Sequence, residues 1–273
     1  NPNRKEISIM IEKNKDIKKD AFVKRLIHPD STARQITLTD SRFYQRNKEK
    51  YYPSVTTVLS YFPKGRFFET WLKDVGANAD IIMRRAGNEG TQVHEAIEAY
   101  LKGEEIHWLD QWGKTKYNLK VWKMILKFVE FWETHKPKLV ESEVHVFSDE
   151  LKIAGTADLI LEIDGKLWMV DIKTSNYLHD TYDLQLACYT QSWNESFERP
   201  IDKMGILWLK ASTRGESKKE DIIQGKGWQL KEISTPFEEC KRIFKHLYEI
   251  YLIKQPNLKP ITEILPTSIK LKV

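Results

Sequence analysis

Asp158, Asp171 and Lys173 stand on two segments, "AGTADLI" and "MVDIKTS", that otherwise read as apolar strands. Between them lies Asp164-Gly165, a pair suited to a type I′ turn because both central residues need positive φ. With Ile163 facing Lys166 across that turn, Asp158 falls directly opposite Asp171. Their Cβ atoms are then roughly 4.5 to 5.5 Å apart on one face, where like charges repel. Either the two carboxyls share a proton or a cation sits between them. Lys173 shares the face of Asp171, roughly 7 Å further along the strand. It is either an ion-pair partner of the two acids or a group held ready for a substrate; buried ion clusters seldom improve stability over apolar residues, which favours the second.

A further ligand is offered upstream. His94 and Glu98 are four residues apart on a helical stretch and project from one side, while Val93, Ala96 and Ile97 can pack on a sheet. If that helix lies over the face carrying Asp158, Asp171 and Lys173, the set becomes Asp, Asp and His around an open position. Such donors suit Mg²⁺ or Mn²⁺, with the imidazole tilting towards Mn²⁺. Their chemistry is phosphodiester hydrolysis: the metal lowers the pKa of water and stabilises charge on phosphate, and Lys173 orients the nucleophile or offsets developing charge.

The elements that must position these groups follow from periodicity. Lys138 to Phe147, Leu151 to Ile163 and Lys166 to Ile172 read as three consecutive strands. A helix from about Tyr182 to Asn194, a strand from Met204 to Leu209 and a last strand over 228 to 233 come next. Thr235-Pro236-Phe237-Glu238 reads as a capping box opening a final helix to about Ile253. Ahead of the sheet, "RQITLTD" and Arg42 to Gln45 read as a small hairpin. "SVTTVLSYF" reads as a helix, as do residues 66 to 86. Gly87 and Gly90 bracket a break before the helix of His94, which Gly103 closes, and Trp122 to Trp132 mark one more. Residues 1 to 33 are Lys-rich and read as a basic arm, 34 to 260 as one domain with its core at about 88 to 233, and 261 to 273 as a tail.

A chain of 273 residues with 41% hydrophobic residues can bury a substantial core. Its apolar runs are too short for a membrane span and no signal pattern opens it, so an intracellular, soluble chain is expected, in a cell's cytoplasm or in a host's if viral. The net charge of +5 is compatible with a polyanionic partner. Cys188 and Cys240 lie in helical patterns, without the spacing of a disulfide scaffold or a metal site.

Taken together, "AGTADLI" and then "VDIKTS" resemble the PD-(D/E)xK nuclease superfamily. "GTQVHEAIE" before the sheet and "LQLACYT" after it resemble its RecB-like exonuclease branch, and "YPSVTTVL" is similar to a segment of mitochondrial and phage exonucleases of that kind. The resemblance covers roughly residues 51 to 210. It implies an α/β (α+β) fold with a restriction-endonuclease-like αβββαβ core, a mixed central sheet flanked by helices, N-terminal helical and hairpin additions and a C-terminal helix.

By the same resemblance His94, Asp158, Asp171 and the backbone carbonyl of Ile172 bind one or two Mg²⁺ or Mn²⁺ ions, and Lys173 is the catalytic lysine. Gln185 and Tyr189 match a Gln-x-x-x-Tyr helix, with Gln185 bonding the lysine or a substrate phosphate. Glu143 and Glu98 rank below these. An iron–sulfur cluster is excluded, since the relatives that carry one use four cysteines. Arg84, Arg85, Thr174, Ser175, Lys210 and Lys218 are candidates for phosphate contacts, and Tyr61, Phe62, Phe67 and Phe68 for stacking.

The expected activity is that of a metal-dependent DNA exonuclease acting on ends, favouring single strands or frayed duplex, in replication, repair or recombination. No Gly-rich loop followed by Lys-Ser or Lys-Thr is present, so unwinding falls to a partner: a helicase, a polymerase or a single-strand-binding protein. A structure-specific endonuclease on the same fold and a non-catalytic DNA-binding subunit are the alternatives.

Overall fold

The structure, a computed structural model, describes residues 23–27, 33–37, 41–46, 50–209, 227–255 and 259–260. Among these, strands β5 (Lys138–Ser148), β6 (Ile153–Ile163), β7 (Lys166–Lys173), β8 (Lys203–Trp208) and β9 (Gln229–Glu232) form a five-stranded sheet in that order. β5, β6 and β7 are antiparallel, β8 runs parallel to β7, and β9 is antiparallel to β8. The parallel step is made by helix α5 (Thr181–Ser196), which carries the chain from the end of β7 back to the start of β8. This is the mixed sheet flanked by helices that the sequence implies.

The Asp164-Gly165 turn adopts positive φ at both residues. It sets Ile163 against Lys166, and the register runs unbroken through Glu162–Leu167, Leu161–Trp168 and Ile160–Met169 to Leu159–Val170. The next step along would pair Asp158 with Asp171, and there the backbone ladder stops.

Alternation along β7 sends Leu167 and Met169 to one face and Val170 and Ile172 to the other. The first pair packs with Leu184, Leu186 and Tyr189 of α5 and with Phe244 and Leu247 of helix α6 (Phe237–Lys254). The second pair packs with Val93 and Ile97 of helix α3 (Ala79–Leu101) and with Phe128 of helix α4 (Leu119–His135). Each face is thus a dry apolar layer, and Leu159, Ile160, Leu161 and Val170 are fully buried between them.

Several local expectations are corrected. The hairpin at residues 34 to 45 is the centre of a four-stranded antiparallel sheet, β1 (Val23–Ile27), β2 (Ala33–Thr37), β3 (Arg42–Arg46) and β4 (Lys50–Pro53). β1 replaces part of the expected basic arm, whose residues 1–22 and 28–32 lie outside the described residues. No break occurs at Gly87 and Gly90: α3 runs through both. Two glycines cost a helix about 1 kcal/mol each, which good helix formers around them absorb. The break falls instead at Gly76, which ends helix α2 (Arg66–Val75) with φ of 54°.

Ser54 caps the short helix α1 (Val55–Leu59) by accepting from the Thr57 N–H. Thr235 does not form the expected capping box. Its hydroxyl and N–H both turn to Asp183 on α5, at 2.8 and 3.2 Å, tying the start of α6 to α5. The expected tail at 261 to 273 lies outside the described residues.

Candidate active site

At the step where the β6–β7 ladder ends, a side chain replaces the backbone. Asp158 Oδ2 accepts a hydrogen bond from the Ile172 N–H at 2.7 Å. Asp171, on the same strand as Ile172, is 2% exposed. Its Oδ1 accepts from Gln185 Nε2 at 3.0 Å, and its Oδ2 lies 2.6 Å from Lys173 Nζ.

Gln185 stands one turn before Tyr189 on α5 and holds three groups at once. Its amide oxygen accepts from Lys173 Nζ at 3.1 Å, while its amide nitrogen donates to Asp171 and to the Tyr189 hydroxyl, the latter at 3.1 Å. Lys173 also sits over the Tyr182 ring, 4.4 Å from its centroid. The lysine is therefore fixed by an ion pair, an amide and an aromatic face.

Tyr189 lies against the backbone of β6 at Gly155. A Cβ at Gly155 would come within 2.9 Å of Tyr189 Cζ and closer still to Cε1, so only glycine admits the ring there. That glycine stands in "AGTADLI", three residues before Asp158.

The fourth wall comes from α3, though not in the way its apolar residues suggest. Val93 and Ile97 pack on the face opposite Asp171, so the helix does not cover the site. His94 nevertheless reaches it from the edge, with Nδ1 3.6 Å from Asp158 Oδ1 and 3.8 Å from Glu143 Oε1. Two distortions allow this. Glu143 has a φ of 50°, and the β5–β6 register runs from Ser142–Leu159 to Val144–Ala157 across Glu143 and Asp158. Alternation slips at that step: Ala157 faces α5, and two residues on Leu159 faces α3. Both acids are turned towards the cleft, and a non-glycine residue in the left-handed region at such a point is a mark of a functional site.

His94, Glu143 and Asp158 each offer one ligand atom, all within 4.8 Å of one another. Two ligands of one Mg²⁺ lie about 3 to 4 Å apart, so an imidazole and two carboxylates at these separations fit a small divalent cation. Glu143, ranked low from the sequence, belongs to this trio because of its backbone, which spacing does not reveal. Asp171, expected as a ligand, faces Lys173 and Gln185, although its Oδ2 is buried and makes no hydrogen bond of regular geometry.

Electrostatics match a site built around a cation. Burial opposes charge on His94, yet the carboxylates of Asp158, Glu143 and Asp171 raise its pKa to about 9. Burial raises Asp171 to about 6 even with Lys173 beside it, and raises Asp158 against the pull of His94. Lys173, desolvated but faced by Asp171 and Asp158, is held above its usual value and stays protonated.

These groups line one cleft of about 570 Å³. Glu98 also lines it, with its Oε1 accepting from Lys102, as do Thr174, Ser175 and Ile172. Ser175 shapes the rim, its hydroxyl donating to the Tyr177 carbonyl and accepting from Tyr182. The small sheet supplies a wall absent from the sequence reading: Gln35, Arg42 and Tyr44 face the cleft, with the Tyr44 hydroxyl 3.0 Å from Thr156 Oγ1. Nothing in a four-residue spacing could link Tyr44 to Thr156, 112 residues away.

The sequence model of the PD-(D/E)XK nuclease superfamily matches residues 41–259. The chain belongs to that superfamily. No match to a curated protein accompanies this one. Among solved structures, a crystal structure titled a "putative exonuclease" from Eubacterium rectale is similar at 12% identity and a TM-score of 0.39, covering 62% of this chain and 68% of that one.

Within this PD-(D/E)XK nuclease fold, Arg84 and Arg85 stand on the exposed N-terminal half of α3 and line a smaller groove beside the cleft with Asn88 and Gln92. Arg85 Nε donates to Glu89, which Lys120 also pairs at 2.7 Å, so Arg85 is partly committed within the fold. Tyr61 and Phe62 pack against the α5-side core, whereas Phe67 is 94% exposed. Lys210 and Lys218 lie outside the described residues. No described helix is long and apolar enough to cross a membrane.

Proposed function

We propose that this nuclease-superfamily chain is a Mg²⁺- or Mn²⁺-dependent DNA exonuclease, one domain over residues 34 to 260, that hydrolyses phosphodiester bonds from DNA ends and favours single-stranded or frayed DNA. The observation that carries this is the placing of Lys173, clamped by Asp171 and Gln185, beside the trio of His94, Glu143 and Asp158 in one open cleft.

His94, Glu143 and Asp158 would hold the ion, with Asp171 and the Ile172 carbonyl as the further ligands implied by family resemblance. When bound, the cation supplies positive charge to the scissile phosphate and acidifies water. Lys173, kept protonated and aimed by Gln185, stabilises negative charge developing on the phosphate oxygens. Thr174, which follows it on the rim, offers its hydroxyl to a flanking phosphate, and Ser175 would do the same by turning its hydroxyl from the Tyr177 carbonyl. Arg42 brings a second fixed charge from the opposite wall. The products would carry 5′-phosphate and 3′-hydroxyl ends, and a role in replication, repair or recombination beside a helicase, polymerase or single-strand-binding protein follows from activity on ends.

Digestion of end-labelled single- and double-stranded oligonucleotides with Mg²⁺, Mn²⁺ or EDTA tests this, with wild type beside Asp171→Ala and Lys173→Ala. EDTA should abolish cleavage, and either substitution should lower it by about 10²-fold or more. Covalently closed single-stranded circles should survive; their cleavage would point to an endonuclease on the same fold. Activity indifferent to EDTA and to both substitutions would place the chemistry elsewhere.

A further inference from the structure

Helix α2 presents Phe67, Phe68, Trp71, Leu72 and Val75 on one side, yet buries none of its residues. Phe67 is almost wholly in solvent, and Phe68 stacks on Trp71 with centroids 5.7 Å apart at 29°. A 10-residue helix is only about 15 Å long. Its apolar side is therefore far smaller than the roughly 800 Å² per partner of a stable protein interface. What it offers is a short row of aromatic faces.

That row is continuous with the catalytic cleft. Lys173 contacts the Tyr182 ring, and His179, exposed, meets Tyr182 edge-on at 5.3 Å. Burial holds the His179 imidazole below its usual pKa and the charge of Lys64, just before α2, lowers it further; Lys64 Nζ sits 5.6 Å from the Phe68 centroid. Outward from the catalytic lysine come the rings of Tyr182 and His179, the cation of Lys64 and the ring of Phe68. Interleaved rings and positive charges suit a strand of nucleic acid, whose bases each have a π-face and whose phosphates are anionic.

We propose that this row is a stacking track for the single-stranded tail of the substrate, holding the bases next to the scissile bond and leading the strand along α2. It rests on the nuclease function proposed above and deepens it, making single-strand preference a property of Phe67, Phe68 and Lys64.

The test reads binding apart from cleavage. Single-stranded oligonucleotides of increasing length, carrying 2-aminopurine at successive positions, are titrated with the full chain in EDTA and again with Ca²⁺. Wild type should bind more tightly as length increases until the track is filled, with 2-aminopurine fluorescence quenched at the positions that stack. Phe67→Ala with Phe68→Ala should weaken binding of long strands about 10-fold or more and remove the quench, since one stacked base contributes roughly that factor. Trp112→Ala, at another exposed aromatic, should leave both as in wild type.

Unchanged affinity and quenching in the double variant would overturn the track. So would a wild type that binds no single strand, or one that sediments as a dimer dissociated by the same substitutions. A wild type that binds in this way and cuts nothing with Mg²⁺ or Mn²⁺ would leave the track standing and remove the nuclease activity.

Discussion

The carboxylate of Asp158 accepts the backbone N–H of Ile172 at 2.7 Å, so a side chain closes the β6–β7 ladder where a carbonyl would be expected. One residue serves both the sheet and the site. Asp158→Ala should abolish cleavage and also leave a buried N–H without its acceptor, costing about 1 to 3 kcal/mol. Asp158→Asn keeps an acceptor oxygen, so it should be as inactive but regain most of the stability. Urea unfolding of the two variants beside activity measurements checks both halves.

Lys173 and Asp171 neutralise each other inside the protein. Lys173→Met should lower kcat by about 10² to 10³, the usual loss for a preorganised charge or donor. It should also raise the Asp171 pKa beyond about 6, because burial would act with the neighbouring cation gone. Carboxyl titration of wild type and variant by ¹³C NMR reads this directly.

The metal-free site should carry its own proton on His94. Its folded pKa of about 9 exceeds the ordinary imidazole value, so protonation stabilises the metal-free fold. That contribution is fully present below about pH 6.5 and is lost as pH rises through about 9. Imidazole resonances of metal-free protein should titrate near 9. Addition of Mn²⁺ at pH 7.5 should release about one proton, seen by calorimetry in buffers of different ionisation enthalpy.

Gly155 leaves room for the Tyr189 ring, and Tyr189 in turn fixes Gln185. Gly155→Ala should destabilise by about 1 to 3 kcal/mol through overpacking and cut activity as Gln185 loses its seat. Combining it with Tyr189→Phe should not help, since the ring remains. With Tyr189→Leu the loss should be smaller than the sum of the single variants, showing coupling in a double-mutant cycle.

Where a residue's role followed from local rules, the chain could be read directly. The Asp-Gly turn alone predicts the pairing that carries Asp158 towards Asp171, and strand and helix periods predict the elements around it, while the mixed sheet they form was implied by the resemblance to the PD-(D/E)xK superfamily. Gln185 and Tyr189 share a helix face by simple four-residue spacing. What escaped depends on long-range geometry. Glu143 joins His94 and Asp158 only because its backbone turns left-handed within a strand, which no pattern of polar and apolar residues announces. His94 lies on a helix whose apolar face points to the other side of the sheet, so amphipathicity argued for the wrong packing and the right neighbour. Gly87 and Gly90 looked like punctuation because glycine's cost to a helix is real, yet it is small beside the packing of Val93, Ala96 and Ile97. Gln35, Arg42 and Tyr44 reach the cleft through a second sheet whose docking no local signal encodes.

The left-handed backbone of Glu143 also sets protein engineering against biology at one position. Selection for thermal stability alone should drive residue 143 towards glycine or asparagine, which occupy that conformation at lower cost. Such winners would be sturdier proteins with an incomplete cleft. A glutamate persisting at such a costly backbone is what selection for chemistry, acting against selection for fold, would leave in the chain.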